Sequence, residues 1–302
     1  MIERVCVILN PAAGRRRGAR MLPQVRTAFS GVGVGDIFVT RSAGEERDLA
    51  TRAIRSGFTT IVAVGGDGTS SNIANAILSD GSDIRIGILP AGTGNDFAKT
   101  LGTARIGIQE IARLSKEYSE IRVDAGRIEN TWFLNSCGFG FDVAVIERVA
   151  RSRRLRGNAV YIAAALQNLM RYRGLDIEVA GSTARRHMML VIANSPRFGG
   201  AFTIAPGASV VDGQLEAISI LDVAVHRRIA LLAAASRGAH GSFREVTTST
   251  SAAFEVRFTE PPSYQADGEI HHATSRALNI SCSPQALRVL TGASGLATRA
   301  GR

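Results

Sequence analysis

Residues 5–9, VCVIL, are apolar at every position, and 60–64 and 84–89 are nearly so. Runs without polar alternation read as strands buried on both faces. Residues 36–40 add another strand, the second along the chain. Between the strands, helical spacing covers 19–29, 45–56 and 71–78, and another helix starts at 96–101. Strand alternating with helix over residues 1–122 predicts an α/β domain on a parallel sheet. From residue 121 the texture changes to shorter strands, 121–128, 131–136, 175–179, 187–193, 214–220, 253–259 and 278–282. Turn signals separate them at Glu129-Asn130, Gly181-Ser182, Asp212-Gly213 and Asp267-Gly268. Two helices, 158–172 and 225–237, interrupt them. This part predicts a mostly antiparallel β-sandwich. The Gly/Ala/Ser/Arg-rich stretch from residue 291 reads as a frayed tail.

Composition narrows the class. A chain of 302 residues, 45% hydrophobic and 21% charged, is globular and long enough for two cores. The first ten residues read as a short strand, not a signal peptide. The longest apolar stretches, 159–166 and 229–235, are too short to span a bilayer. Cys6, Cys137 and Cys282 fit no zinc or redox spacing, which points to a reducing cytosol. The net charge is +10 and almost entirely arginine; Lys99 and Lys116 are the only lysines. A pI near 10.6 fits nucleic acid, an anionic membrane or an anionic substrate about equally.

Three strand ends carry the chemistry. The first strand runs into Asn10-Pro11-Ala12-Ala13-Gly14 and then Arg15-Arg16-Arg17. The third runs into Gly65-Gly66-Asp67-Gly68-Thr69, and the fourth into Pro90-Ala91-Gly92-Thr93-Gly94-Asn95-Asp96-Phe97. Ligands of open parallel sheets bind at these carboxyl ends. Glycines let backbone amides approach a phosphate, and a following helix N-terminus favours negative charge. Asp67 suits Mg²⁺, and Thr69 and Thr93 suit phosphate oxygens. Neither a Walker A pattern nor a Rossmann GxGxxG follows the first strand.

The ordered set NPAAG, VGGDGT, LPAGTGNDFA, VDAGR, FLNSCGFGFD and QADGE resembles the diacylglycerol kinase catalytic family, specifically its bacterial lipid kinases. The resemblance covers roughly residues 5–290. It implies a nucleotide domain, 1–122 completed by 285–302, and a β-rich lipid domain, 123–284. It also implies a cleft between them where ATP phosphorylates a lipid hydroxyl. By motif, Asn10 to Gly14, Thr40, Gly65 to Thr69, Ser70, Ser71 and Thr93 match nucleotide-binding positions. Glu269 matches the catalytic base, and Asp124 an acid that helps organise the metal and water network; Asp67 is the third catalytic candidate. Ser209, Asp212 and Gln214 match a structural Mg²⁺ site. The implied cofactors are ATP and Mg²⁺. The implied setting is cytoplasmic, with reversible docking on the anionic inner membrane face where the lipid substrate lies. Nucleic acid is not an expected partner, and a homodimer stays open.

Two positions depart from the family pattern. GGDGT is usually followed by a hydrophobic residue and Asn-Glu; here Ser70-Ser71-Asn72 follows, with Ser71 read as a helix cap in place of the Asn. Val211 replaces the first of two acids before Gly213. The basic run 151–156, RSRRLR, precedes an apolar helix and suits anionic lipid. The rival readings are an NAD kinase, which shares GGDG, a sphingoid-type kinase, and a catalytically silent nucleotide-binding protein. Intact Asp67 and Glu269 oppose the last.

Overall fold

The computed structural model describes residues 3–117, 119–151, 169–170, 172–179, 181 and 183–291. The chain divides into two compact units. One runs to Ala125 and resumes at Pro284; the other is Gly126–Ser283.

In the first unit strands alternate with helices: β1 (Val5–Leu9), α1 (Ala13–Gly31), β2 (Ile37–Val39), α2 (Glu45–Arg55), β3 (Thr60–Gly65), α3 (Asp67–Asp80), β4 (Arg85–Pro90), α4 (Asp96–Thr100) and α5 (Ile108–Leu114). β5 (Glu120–Ile128) then leads into the second unit. The order β4-β3-β1-β2 is parallel throughout, with Val62 opposite both Val7 and Gly87. β1, β3 and β4 are buried at every residue, which is why their sequences lack polar alternation. Val7, Leu9, Val62, Val64 and Leu89 pack with Val25 and Phe29 of α1 and Ile111 of α5.

Two helices differ from the sequence expectation in ways that shape the site. α3 starts at Asp67, four residues before the expected 71, because the Gly66 N-cap is extended and the glycine turn itself becomes the first helical turn. Ser71 is therefore inside the helix and is not its cap. α1 begins at Ala13, but Gly14, Arg15 and Arg16 have left-handed backbones that break it, so the regular helix starts after them. α5 went unread because its seven residues are too few to set a period.

The second unit contains β6 (Thr131–Phe133), β7 (Ser136–Gly140), α6 (Phe141–Arg151), β8 (Leu175–Val179), β9 (Arg185–Ala193), the short pair β10 (Arg197–Phe198) and β11 (Phe202–Thr203), and β12 (Leu215–Leu221). α7 (Val225–Ala235), β13 (Val246–Ser251), β14 (Ala253–Phe258), β15 (Ser263–Ala266), β16 (Glu269–His272) and β17 (Ala277–Leu290) follow. It is a mostly antiparallel β-sandwich. From Met188 to Ala193 β9 is all apolar because both of its faces are covered there. Leu190 and Ile192 enter the core with Phe139, Phe254 and Tyr264. Met189, Val191 and Ala193 face the helical side with Phe141, Val145 and Leu231. β14, covered on one face, alternates strictly between exposed and buried residues. The end of β17 belongs to the first unit, where Arg288 and Val289 pair in parallel with Arg85 and Ile86. The expected strand 131–136 is two strands, β6 and β7. α6 was missed because the glycines of SCGFG mask the helix that follows. Most of the expected helix 158–172, most of the basic run 151–156 and the tail beyond 291 lie outside the described residues.

Candidate functional site

In the first unit the loops after β1, β3 and β4 fit against one another. A Cβ at Gly14 would sit 1.9 Å from the Ala91 carbonyl oxygen, and one at Gly92 would sit 2.4 Å from Gly66 Cα. Only glycine allows those approaches. Gly14 also has φ 55°, and the non-glycine residues Arg15 and Arg16 share that left-handed backbone. Such strain persists only where the surroundings enforce it, and it concentrates at functional sites. Asp67 Oδ1 accepts the Phe97 N–H at 3.2 Å, tying the third-strand loop to the start of α4. Asn95 holds the fourth-strand loop closed: its Oδ1 accepts the Gly92 N–H at 3.0 Å, and its Nδ2 donates to the Gly92 carbonyl at 2.9 Å.

The first intrahelical bond at the start of α3 runs from Ser70 N–H to Gly66 O, 3.1 Å. The amides of Gly68 and Thr69 precede it and have no intrahelical acceptor. They lie at the positive end of a 14-residue helix, an arrangement that binds anions. The side chains expected to help are partly committed elsewhere. Asn10 Nδ2 donates to Glu46 Oε1 at 2.8 Å and to Thr69 Oγ1 at 3.2 Å, while Asn10 Oδ1 accepts the Ala12 N–H at 2.9 Å. The Thr69 hydroxyl donates to Glu46 Oε1 at 3.2 Å. With its proton given to Glu46 and one lone pair taken by Asn10, the Thr69 hydroxyl keeps one lone pair here. Ser70 and Ser71 are buried within α3, and Ser70 Oγ turns back to Gly66 O. Thr40 is buried beyond β2 and its amide donates to Leu9 O at 3.0 Å. Thr93 is exposed. Asp124 is buried on β5 and accepts the Gln285 N–H at 2.8 Å, where Gln285 has φ 51°.

In the second unit Asp267 and Gly268 form the tight turn between β15 and β16, with φ 48° and 88°. Asp267 is a clamp: its carboxylate accepts the amides of Leu134, Asn135 and Ser136 at 2.8, 2.8 and 3.1 Å. The Gly268 amide donates to Gln265 Oε1 at 2.9 Å. This fixed turn carries Glu269 as the first residue of β16, exposed to solvent. Local sequence shows no role for Asp267 beyond the turn, because its partners lie more than 130 residues earlier.

On the loop before β12, Asp212 Oδ1 accepts the Gln214 N–H at 3.0 Å, and Ser209 is half-buried. Glu216 lies close by. Burial pushes its carboxyl up, the Asp212 charge adds to this, and the Gly207 and Ala208 amides oppose it. Among the described residues no group of three or more His, Cys, Asp or Glu could hold a metal ion.

An apolar cavity of about 40 Å³ lies between β9 and the two helices α6 and α7, lined by Phe141, Val145, Met188, Phe198 and Leu231, with Asp142 in its wall. Asp142 is buried, and among the described residues neither of its oxygens reaches a hydrogen-bond partner. Burial pushes its carboxyl up to about 7, against a smaller pull from the Val143 amide and the Gln265 side chain. That pull is a near approach and not a formed bond, since Gln265 Nε2 also has no partner among the described residues.

The diacylglycerol kinase catalytic domain model matches residues 4–128, and the YegS C-terminal NAD kinase beta sandwich-like domain model matches 135–291. A diacylglycerol kinase of Mycobacterium tuberculosis (strain CDC 1551 / Oshkosh) is 30% identical over 300 residues, covering 96% of this chain and 95% of the relative. A diacylglycerol kinase of Bacillus subtilis (strain 168) is 26% identical over 273 residues, 89% and 90% of the two chains. A crystal structure of a diacylglycerol kinase from Bacillus anthracis str. Sterne superposes with TM-score 0.75 at 19% identity, covering 96% and 98%; at that identity it speaks for the fold. Sequence and fold together define the class as lipid kinase. The chain belongs to the diacylglycerol kinase catalytic family, with the YegS-type C-terminal sandwich.

Proposed function

We propose that this protein transfers the γ-phosphoryl group of ATP to the hydroxyl of a membrane lipid, with diacylglycerol as acceptor and phosphatidic acid as product. The observation that carries the proposal is the interlocked set of glycine loops at the carboxyl ends of β1, β3 and β4, where close approach is possible only without side chains. Phosphoryl transfer is largely positioning and charge stabilisation. The Gly68 and Thr69 amides and the α3 dipole receive phosphate oxygens. Asp67 supplies the carboxylate for Mg²⁺. A single carboxylate beside phosphate fits that ion, which draws its remaining ligands from water and phosphate. When bound, Mg²⁺ neutralises phosphate charge. Asp124 and Gln285 hold the backbone of β5 and β17 in register. Glu269 accepts the lipid hydroxyl proton as attack begins; the Asp267 clamp gives it a rigid support.

The apolar cavity beside Asp142 suits the end of an acyl chain. No helix among the described residues is long and apolar enough to cross a membrane. The protein then reaches its substrate by reversible docking on anionic lipid at the cytoplasmic face, through Arg151, Arg153, Arg154 and Arg156. The test is transfer of labelled phosphate from ATP to diacylglycerol, monoacylglycerol, ceramide, a sphingoid base, a prenol and NAD. Labelled phosphatidic acid as the main product supports the proposal. A sphingoid phosphate or NADP as the main product overturns the choice of acceptor, and no product from any acceptor overturns the enzymatic reading.

A further inference from the structure

The motif residues at the glycine loops are held by one residue that belongs to no motif. Glu46 is the second residue of α2, inside the charged stretch EERD, yet its side chain is buried, 2% exposed. Its Oε1 takes two hydrogen bonds, from Asn10 Nδ2 at 2.8 Å and from Thr69 Oγ1 at 3.2 Å. Its Oε2 is buried without a partner among the described residues. A carboxylate only accepts hydrogen bonds, so Glu46 dictates which way both partners face.

For Asn10 the consequence is an unambiguous amide. The NH₂ must face Glu46, so Oδ1 must face the other way, where it accepts the Ala12 N–H at 2.9 Å. That bond shapes the start of the 10–14 loop. The second Nδ2 hydrogen goes to Thr69 Oγ1, so both amide hydrogens are committed. For Thr69 the consequence is direction. Its one proton is committed to Glu46 and one lone pair to Asn10, leaving one lone pair to present. A single buried atom thus sets the loop after β1 and the first turn of α3 together.

We infer that Glu46 is a positioning residue for the nucleotide: it fixes the hydrogen-bond directions of Asn10 and Thr69, and through them the spacing of the two glycine loops. Glu46 acts as an acceptor, not as a charge facing the ligand. The inference rests on the reading that these loops hold ATP. The family pattern often sets an acid three residues after the threonine; this chain has Asn72 there, and the carboxylate that meets Thr69 comes from α2.

Four variants test it. Glu46→Ala removes the acceptor. Glu46→Gln keeps an Oε1 that can accept both bonds and places its NH₂ where Oε2 now lies unpaired, so it removes only the charge. Thr69→Val, alone and combined with Glu46→Ala, measures whether Glu46 acts through Thr69. The measurements are thermal unfolding with and without Mg-ATP, and KM for ATP and for lipid separately. Glu46→Ala should raise the KM for ATP about tenfold, the equivalent of roughly 1.4 kcal/mol, with the lipid KM unchanged. Glu46→Gln should restore most of the loss, and the double variant should cost little more than either single one. A Glu46→Ala protein with a lowered melting temperature but wild-type KM for ATP overturns the inference in favour of a purely structural role. A Glu46→Gln protein as impaired as Glu46→Ala overturns it in favour of a charge effect. If Mg-ATP fails to protect wild type, the nucleotide reading itself falls, and that result is separate from any behaviour of Glu46.

Discussion

Replacing Gly68 by alanine separates what the glycine turn does for the fold from what it does for a ligand. Gly68 is the second residue of α3 and its backbone is helical. A Cβ built there meets no atom within 4 Å. The unliganded protein therefore has room for the methyl group, and exchanging glycine for alanine in a helix stabilises by up to about 1 kcal/mol. The melting temperature without nucleotide should stay level or rise by a few degrees. If the turn is bare so that phosphate can approach its amides, the same methyl occupies ligand space. Overpacking of that kind costs ~1–3 kcal/mol, which weakens binding by about 5–150-fold. Gly92→Ala is the contrast. Its Cβ would lie 2.4 Å from Gly66 Cα, where ordinary contact begins at 3.4 Å, so the two loops must part by the 1.0 Å difference. That variant should lose stability and nucleotide binding together. Thermal unfolding of both variants with and without Mg-ATP is the assay. Gly68→Ala protein that Mg-ATP protects as fully as wild type would refute the phosphate cradle.

Two further predictions concern the second unit. Asp142 has its carboxyl raised from 3.8 to about 7 by burial, worth up to roughly 4 kcal/mol. A raised carboxyl stabilises the fold fully below the unfolded value of 3.8, and this is lost as pH rises through 7. Relative to Asp142→Asn, wild type should lose stability between about pH 4 and 7 and run parallel above that; parallel curves throughout would show that the carboxyl is not buried as described. Changing Arg151, Arg153, Arg154 and Arg156 to Ser should weaken binding to anionic vesicles and spare activity on a short-chain, water-soluble diacylglycerol; equal loss of both activities would assign these residues to folding or to ATP.

The sequence was most legible where one physical cause dominated. β1, β3 and β4 are buried on both faces, so their apolar runs announced a parallel sheet, and the glycines that follow announced close approaches. It was least legible where a residue's environment is made by distant chain. Glu46 sits in a charged run at a helix start and reads as solvated; it is buried because Asn10, 36 residues before it, and Thr69, 23 residues after it, close over it. Asp267 read as a hairpin residue, and its turn geometry is indeed that of a hairpin. Its three backbone partners come from the stretch between β6 and β7, beyond any local signal. The Thr69 hydroxyl suits a phosphate oxygen by its place in a glycine turn; that Glu46 takes its proton has no local signal.

The most direct test of the central claim is the rate of labelled phosphate transfer from ATP to diacylglycerol, measured for wild type and Glu269→Gln alongside ATP binding. Wild type should form labelled phosphatidic acid. Glu269→Gln should lose roughly 10²–10⁴-fold in rate, the contribution of a general base, while binding Mg-ATP as wild type does. Near-wild-type turnover by Glu269→Gln, or no labelled lipid from wild type that demonstrably binds ATP, would contradict the account.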